Sequence, residues 1–282
     1  MPHLRLPTLF LSHGSPMIAI EDSPTQRFLR RLGPVIDERF GRPRAVVVMS
    51  PHSMSRNPLV LGALRHATVH DFGGFPPALY EIEYPAAGDP DLAHDVARRL
   101  AESGFNVPAV DAGGLDHGIW TPLMHLWPRA EVPVVPVMLP ALAPPAELTA
   151  MGEALAPLCD DGVLIVGSGS LTHNLGRVFG AGGMPAVDAP ETADCAAFRA
   201  WVHETVAGHD HAGLLQWATL APHARAMHPT DEHWRPFHFA VGAALPSTQA
   251  VRLHADVEFG CLAMDAYAFG DAAALLAQAL AN

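Results

Sequence analysis

The sequence contains no lysine, so arginine accounts for all 17 of its Lys and Arg residues, against 29 Asp and Glu residues and a formal net charge of −12. A lysine amine is required by Schiff-base enzymes, pyridoxal-phosphate enzymes and Walker-type phosphate loops, so these classes are excluded. The acidic balance also argues against a nucleic-acid-binding surface, which needs clustered cations.

Cysteine is scarce as well, with 3 residues and no close pair. This excludes a disulfide scaffold and a cysteine zinc cluster, and it suits a reducing compartment. No apolar run is long enough to span a membrane, and the apolar stretch at residues 6–11 is too short for a signal peptide. We therefore expect a cytoplasmic protein without a membrane partner. No low-complexity linker divides the chain, so we expect a single domain that spans residues 1–282.

Short apolar runs that end at turn residues predict strands, and amphipathic segments between them predict helices. The strands are expected at residues 8–11, 45–49, 134–139 (interrupted by Pro136) and 163–166, with an outer strand at 250–257. The helices are expected after Ser23-Pro24, after Asp89-Pro90, after Pro144-Pro145, over residues 191–206 and after Asp271, with residues 180–190 as a long loop. The alternation predicts an α/β fold whose central sheet is largely parallel or mixed, with helices on both faces.

Histidine is abundant, with 17 residues, and three of them follow predicted strands: His13, His52 and His173. Ligands of open α/β sheets bind beyond the carboxyl ends of the strands, so these three side chains are expected at one edge. Each of them taken alone is equally well interpreted as a structural histidine bonded in a turn. The run Gly167-Ser168-Gly169-Ser170 lacks the spacing of a phosphate loop or of a nucleophile elbow, and we interpret it as a tight turn leading to His173.

Two further histidine segments leave alternatives open. Asp116 could orient an imidazole and His117 could act as a general acid or base, but the local sequence favours a glycine-rich loop with an exposed histidine. His228 and His233 flank a helix start predicted at Thr230, and the spacing does not decide which of the two is a ligand.

A long loop rich in aromatic residues, glycine and proline covers residues 71–76 and 80–88. Such loops often line active sites, and this one would suit a planar aromatic substrate. Packing of the loop over the core is at least as common an explanation.

Taken together, these segments resemble the class III extradiol ring-cleavage dioxygenases, in particular the 4,5-DOPA dioxygenase extradiol-like (LigB-type) branch. The segments that carry the resemblance are His13-Gly14-Ser15-Pro16, the strand before His52, Asp71-Phe72-Gly73-Gly74-Phe75-Pro76, Tyr84-Pro85-Ala86, Asp116-His117-Gly118, His173-Asn174-Leu175 and Pro229-Thr230-Asp231-Glu232-His233. Three positions depart from the family pattern. Pro51 and Ser53 stand where an alanine and a tryptophan usually flank the histidine of the second strand, and Asp231 replaces a common proline.

The resemblance implies a role for each of these histidines. The metal ligands would be His13, His52 and His233, with His173 as base or possible fourth ligand and His117 as a second catalytic histidine. The side chains expected to contact the substrate are those of His228, Ser15, Phe72 and Tyr80.

The implied reaction is ring cleavage of a catechol-type aromatic, DOPA-like or otherwise substituted, by O2 at a mononuclear metal. Fe(II) is expected for turnover, and three neutral imidazoles would also attract Zn(II). A zinc hydrolase with a three-histidine site and a non-catalytic metal-binding protein are the competing interpretations. The sequence leaves open whether the protein is a monomer or a homodimer.

Overall fold

The computed structural model describes residues 4–180, 183–247 and 249–282. The strands in these ranges are β1 (Thr8–Ser12), β2 (Ala45–Met49), β3 (Met54–Ser55), β4 (Val60–Leu61), β5 (Ala67–Thr68), β6 (Ala109–Val110), β7 (Gly114–Leu115), β8 (Val134–Pro136), β9 (Leu139–Pro140), β10 (Val163–Gly169), β11 (Ala250–His254), β12 (Val257–Glu258), β13 (Leu262–Ala263) and β14 (Ala266–Phe269). The α-helices are α1 (Pro24–Phe40), α2 (Pro77–Tyr80), α3 (Pro90–Glu102), α4 (His117–Leu126), α5 (Pro145–Leu155), α6 (Leu175–Val178), α7 (Ala193–Ala207), α8 (His211–Leu215), α9 (Trp217–Leu220), α10 (Ala224–Met227), α11 (Arg235–Gly242) and α12 (Ala273–Ala281). Two 3-10 helices span Pro16–Ala19 and Ala156–Cys159.

The largest sheet in the described residues has six strands in the order β11-β14-β1-β10-β2-β8. Strands β1, β10, β2 and β8 run parallel to their neighbours, whereas β14 pairs antiparallel with β1 and with β11. The sheet is therefore mixed, and the predicted α/β class is confirmed. Because β1, β2 and β10 are parallel, their carboxyl ends meet at one edge of the sheet.

The sheet is covered on both faces, as the run of apolar residues in its central strands requires. Successive side chains of a strand point to opposite faces. In β2, Val46 and Val48 belong to the core formed with α1 and α4, and Val47 belongs to the opposite core formed with α3 and α5. Every residue of β2 is buried. The parallel strands are thus held rigidly between two apolar layers.

Helix starts follow the predicted capping residues. Ser23 accepts a hydrogen bond from the backbone N–H of Gln26, and Pro24 opens α1. Asp89 likewise caps α3 by accepting from the N–H of Leu92. Side-chain caps of this kind satisfy backbone donors that the first helical turn leaves free. In the described residues, no helix combines the length and the apolar character needed to cross a membrane.

The strand predictions hold with changes in extent. Residues 134–139 form two short strands, β8 and β9, and Pro136 ends β8 at the edge of the sheet, where a missing N–H is tolerated. Strand β10 runs three residues beyond its predicted end, and the outer strand at residues 250–257 is divided into β11 and β12. Strand β14 was not predicted, because its four apolar residues include no β-branched residue. The predicted loop at 180–190 contains no helix or strand in its described part, and residues 181 and 182 lie outside the described residues.

Two local predictions are wrong. Gly167 to Gly169 are not a tight turn but the last residues of β10. The helix predicted from Thr230 begins at Arg235, so His233 lies in the preceding turn and not on a helix. The backbone N–H groups of Trp234 and Arg235 both donate to Asp231 O, and Pro236 occupies the first helical turn, where its missing N–H costs nothing.

Candidate metal centre

Three imidazoles converge at the carboxyl edge of the central sheet. His13 follows β1, His52 lies in the turn after β2, and His233 lies in the turn before α11. The Nε2 atom of His52 is 3.2 Å from that of His13 and 3.3 Å from that of His233. The ligand nitrogens of all three residues lie within 4.8 Å of one another, so they could hold one metal ion.

Glycine in β10 brings the His233 turn against the sheet. A Cβ atom at Gly169 would lie 2.1 Å from the carbonyl oxygen of His233, a distance that no side chain tolerates. That same carbonyl accepts a hydrogen bond of 3.0 Å from the N–H of Ser170, and the N–H of His13 donates to Gly169 O at 2.9 Å. The end of β10 therefore fixes the backbone of two of the three histidines.

A buried serine sets the tautomer of His13. The Oγ of Ser168 donates its only hydrogen to the carbonyl oxygen of Gly118, so it accepts from Nδ1 of His13 at 2.9 Å. The proton of His13 is thereby held on Nδ1, and the lone pair of Nε2 is directed toward the other two imidazoles. Hydrogen bonds of this kind orient the histidine ligands of metal sites.

Carboxylates do the same for the other two histidines. Nδ1 of His52 lies 3.3 Å from Oδ2 of Asp71, and Nδ1 of His233 lies 3.2 Å from Oε1 of Glu232. An ionised carboxylate only accepts hydrogen bonds, so Glu232 holds the proton of His233 on Nδ1, and the negative charge of Asp71 beside Nδ1 of His52 favours the same tautomer there. All three Nε2 atoms are then free to act as ligands.

The electrostatics of the three imidazoles favour their neutral form. Burial, followed by the neighbouring imidazoles, lowers the pKa of His13 and of His233 well below the ordinary value. Burial is also the largest influence on His52, whose pKa falls to about 3 although Asp71 opposes the shift. Proximity of three lone pairs is unfavourable unless a cation lies between them.

The spacing of these nitrogens suits such a cation. Nitrogens bound to one ion at about 2.1 Å, at tetrahedral or octahedral angles, are about 3.0–3.4 Å apart. The two measured Nε2 separations, 3.2 and 3.3 Å, fall in that range. The three side chains therefore fit a single divalent metal ion by distance, tautomer and charge.

His173 lies beside this group and not within it. Its ring stacks on that of His233 with centroids 3.5 Å apart and planes 11° from parallel. A ring nitrogen of His173 lies within 4.8 Å of a carboxylate oxygen of Glu232 and of a ring nitrogen of His233. Burial lowers the pKa of His173, with Glu232 opposing, so the ring is neutral at neutral pH. No side-chain hydrogen bond joins His173 to another described residue. A neutral imidazole with free nitrogens is suited to accept a proton.

His117 occupies the first turn of α4, with its ring centroid 3.9 Å from that of His52. Asp71 binds it twice, accepting from the backbone N–H at 2.9 Å and from Nδ1 at 3.0 Å. Burial acts to raise the pKa of Asp71, but the hydrogen bonds from His117 outweigh it and bring the pKa below its ordinary value. One carboxylate thus orients both His52 and His117.

The sequence offered Asp116, and not Asp71, as a residue that could orient an imidazole. Asp116 is buried, and its carboxylate accepts instead from Ser50 Oγ at 2.7 Å and from Ser53 Oγ at 2.5 Å. Its neighbour His117 is buried and not exposed in a loop. The sequence signal that could have indicated Asp71 was its position at the start of the aromatic loop. That loop was interpreted through its aromatic residues, and the carboxylate of Asp71 was not considered.

A cavity of about 540 Å³ opens onto the histidines. Apolar side chains form most of its wall, and the predicted substrate residues Ser15 and Phe72 are part of it. Four histidines line the cavity: His52, His117, His173 and His233. Carboxylates of Glu21 and Glu258 are also part of its wall.

The other two predicted substrate residues do not reach this cavity. His228 is only 3% exposed, and its Nε2 bonds to the carbonyl oxygen of Leu171 at 2.8 Å, so its ring is buried among aromatic side chains such as Trp217. Tyr80 packs against Phe72 with ring centroids 5.2 Å apart, but it is 40% exposed and does not line the cavity. We correct both assignments: His228 is buried away from the cavity and bonds to the backbone of Leu171, and Tyr80 packs against the cavity residue Phe72 without lining the cavity itself.

Comparison with known proteins decides the family. A family model described as the catalytic LigB subunit of aromatic ring-opening dioxygenase matches residues 7–261. The chain belongs to the LigB family. The resemblance proposed from the sequence motifs is therefore confirmed, and so is the assignment of the chain as a dioxygenase-type enzyme.

Individual proteins that are similar to this chain agree with this assignment. A 4,5-DOPA dioxygenase extradiol of Beta vulgaris is 36% identical over 264 residues, which cover 93% of this chain and 96% of that protein. The 4,5-DOPA dioxygenase extradiol of Escherichia coli K12 is 35% identical over 255 residues, covering 86% of this chain and 87% of that protein. A crystal structure of an uncharacterised protein from Escherichia coli K12 superposes with a TM-score of 0.76 at 29% identity, covering 94% of this chain and all of that one.

Proposed function

We propose that this LigB-family protein is an extradiol dioxygenase that opens the ring of a substituted, DOPA-like catechol with O2 at one metal ion held by His13, His52 and His233. The observation that carries the proposal is the convergence of three neutral imidazole Nε2 atoms beside a cavity large enough for a substituted aromatic ring, with His52 and His233 in the wall of that cavity. Small-molecule sites commonly have volumes of about 300–1,000 Å³, and this cavity falls in that range.

The residues around the metal site divide the remaining tasks. Fe(II) held by His13, His52 and His233 would supply the chemistry that binds a catecholate and activates dioxygen. His173, neutral and without a hydrogen-bond partner among the described residues, accepts the proton of a catechol hydroxyl oxygen. His117, whose Nδ1 proton is held by Asp71, presents Nε2 to the cavity as a hydrogen-bonding group for an oxygen of the substrate.

The choice of metal follows from the ligands. Three neutral imidazoles leave the charge of a divalent ion undiminished, which favours binding of an anionic catecholate. The same ligand set suits Zn(II), which readily binds three histidines. We propose Fe(II) for turnover and expect Zn(II) to compete for the same nitrogens.

The two alternatives drawn from the sequence are weaker. No comparison supports the zinc-hydrolase alternative, and the relatives of this chain described above are named as dioxygenases. An open cavity beside the histidines counts against a non-catalytic metal protein with a closed site. A cytoplasmic location, the absence of a nucleic-acid partner and the oligomeric state, monomer or homodimer, stay predictions from the sequence.

The test is anaerobic loading with Fe(II), followed by addition of a catechol and of oxygen. We expect oxygen uptake together with a yellow ring-opened product. His173→Gln should lose most of this turnover, whereas His94→Gln, at an exposed histidine on α3, should keep it. Absence of oxygen uptake and of coloured product from iron-loaded protein, across neutral, cationic and anionic catechols, would overturn the proposal.

A further inference from the structure

The charges on the cavity wall are unusual for a site that binds aromatic acids. Apart from histidines, the ionisable side chains among the described lining residues are two carboxylates, Glu21 and Glu258. Arginine does not line the cavity in the described residues, and the chain contains no lysine. A carboxylate-bearing substrate would therefore enter without a cationic partner on the wall.

Glu258 is the deeper of the two carboxylates. It ends β12, in a short hairpin with β13, and is partly buried, whereas Glu21 is exposed at the rim. Its Oε2 atom lies 3.9 Å from the position that a Cβ atom would occupy at Gly14, the residue that follows His13. The carboxylate is thus close to the backbone of the metal-site loop and on the inner part of the cavity wall.

The carboxylate of Glu258 makes no hydrogen bond or ion pair with another described residue, although carboxylates with little solvent contact usually have a partner. Burial, followed by the negative charges of Asp256 and Glu21, raises the pKa of Glu258 to about 7. A positive group in the cavity would relieve both effects, because it would replace lost solvent and offset the neighbouring charges.

We infer that Glu258 determines the charge specificity of the cavity, which accepts catechols whose substituent carries an ammonium group, as a DOPA-like substituent does, and disfavours catechols whose substituent carries a carboxylate as its only charge. This inference rests on the proposed function for the identity of the aromatic ring. It adds the chemical class of the substituent and the residue that selects it. Glu21, at the rim, contributes in the same direction with a smaller effect because it is more exposed to water.

Binding measurements isolate this selection from turnover. The probes are three catechols with substituents of similar length: 4-(2-aminoethyl)catechol, 4-propylcatechol and 3,4-dihydroxyphenylacetate. Their Kd values are measured by calorimetry on Zn(II)-loaded protein under nitrogen at about pH 8, where a carboxyl group with a pKa of about 7 is mainly ionised. The wild type is expected to bind the ammonium compound at least about tenfold more tightly than the carboxylate compound.

The variants then assign the selection to Glu258. Glu258→Gln should reduce the ratio between the ammonium and carboxylate Kd values by about fivefold or more, and change the Kd of 4-propylcatechol by less than about twofold. Glu21→Gln, at an exposed residue that cannot disturb the core, should reduce the ratio by a smaller factor. Glu153→Gln, at an exposed glutamate on α5 far from the cavity lining, is the matched control and should leave the ratio unchanged.

The outcomes separate this inference from the proposed function. A wild type that binds the carboxylate compound more tightly, or a Glu258→Gln variant that keeps the wild-type ratio, would overturn the assignment of the charge selection to Glu258. Ring opening of 4-propylcatechol by Fe(II)-loaded protein tests the proposed function alone. Failure of that ring opening with an intact order of Kd values contradicts the dioxygenase proposal and supports the charge selection.

Discussion

Replacing Asp71 by asparagine should weaken metal binding although Asp71 is not itself expected to be a ligand. Oδ1 of Asp71 accepts from the backbone N–H of His117, so the asparagine oxygen will keep that place and its NH2 group will take the place of Oδ2. Oδ2 now lies 3.0 Å from Nδ1 of His117 and 3.3 Å from Nδ1 of His52. In the variant, the NH2 group of the asparagine would therefore face the protonated Nδ1 atoms of both His52 and His117, and none of these three groups could accept a hydrogen bond.

The imidazole of His52 can escape this clash by moving its proton from Nδ1 to Nε2, which removes a lone pair from the three-nitrogen group. Loss of a polar partner that orients a metal ligand typically costs about 10–100-fold in metal affinity, which corresponds to about 1.4–2.7 kcal/mol. We expect a loss in this range for Asp71→Asn, since one of three ligands is affected. Turnover should fall further, because His117 loses the same partner.

Competition with a chromophoric chelator measures the affinity for Zn(II), and circular dichroism checks that the variant is folded. Asp111→Asn, at an exposed aspartate, is the matched control and should bind metal like the wild type. An Asp71→Asn protein whose Zn(II) affinity stays within about twofold of the control would refute the proposed role of the carboxylate in setting the tautomer.

Two further predictions concern packing and pH. Gly118→Ala should lower metal content with only a modest loss in Tm, because the added Cβ would lie 2.6 Å from Ser50 Oγ and 3.0 Å from His52 Cδ2; Gly73→Ala, where the added atom meets nothing within 4 Å, should keep full metal content. His238 is buried and its pKa is lowered to about 3 by burial alone, so below about pH 6.5 the unfolded chain binds a proton that the folded chain does not. The free energy of unfolding should therefore fall by up to about 1.4 kcal/mol per pH unit from this group as the pH drops from about 6.5 toward 3. Urea titrations at several pH values measure this dependence, and His238→Gln should weaken it. If the free energy of unfolding of His238→Gln falls with decreasing pH as steeply as that of the wild type, the low pKa of His238 is not a source of the dependence.

The sequence predicted the architecture well because the strands that form the centre of the sheet are buried on both faces. Such strands appear as short β-branched runs, and residues 45–49 were predicted with the bounds that β2 has. Strand β14 was missed because it includes no such run, although it pairs with both β1 and β11. Its position depends on tertiary pairing, which local propensity does not report.

The candidate site was only partly accessible from the sequence. Position after a strand brought His13 and His52 to attention, and the family motif added His233, which the structure places in a turn and not on a helix. Ser168 and Glu232, which hold imidazole tautomers, gave no separate signal, because their roles depend on contacts across the fold. His228 was misplaced for the same reason: a motif shows that a histidine is near the site but not which way its ring points.

The sequence also gave no reason to single out Glu258. Its significance comes from three facts of the folded chain: its place on the cavity wall, its distance from the Gly14 loop and its lack of a partner among the described residues. Each of these depends on a hairpin more than 240 residues away from His13 along the chain, where β12 and β13 pair.

Metal content tests the central claim most directly. The protein and two variants, His13→Ala and His173→Ala, are loaded with Fe(II) under nitrogen, desalted, and assayed for iron per chain by mass spectrometry, with circular dichroism to confirm folding. The wild type and His173→Ala are expected to retain about one iron per chain, and His13→Ala close to none, because three imidazoles hold the ion and His173 stands beside them. Full iron retention by His13→Ala, or a loss in His173→Ala as large as that in His13→Ala, would contradict the proposed three-histidine site.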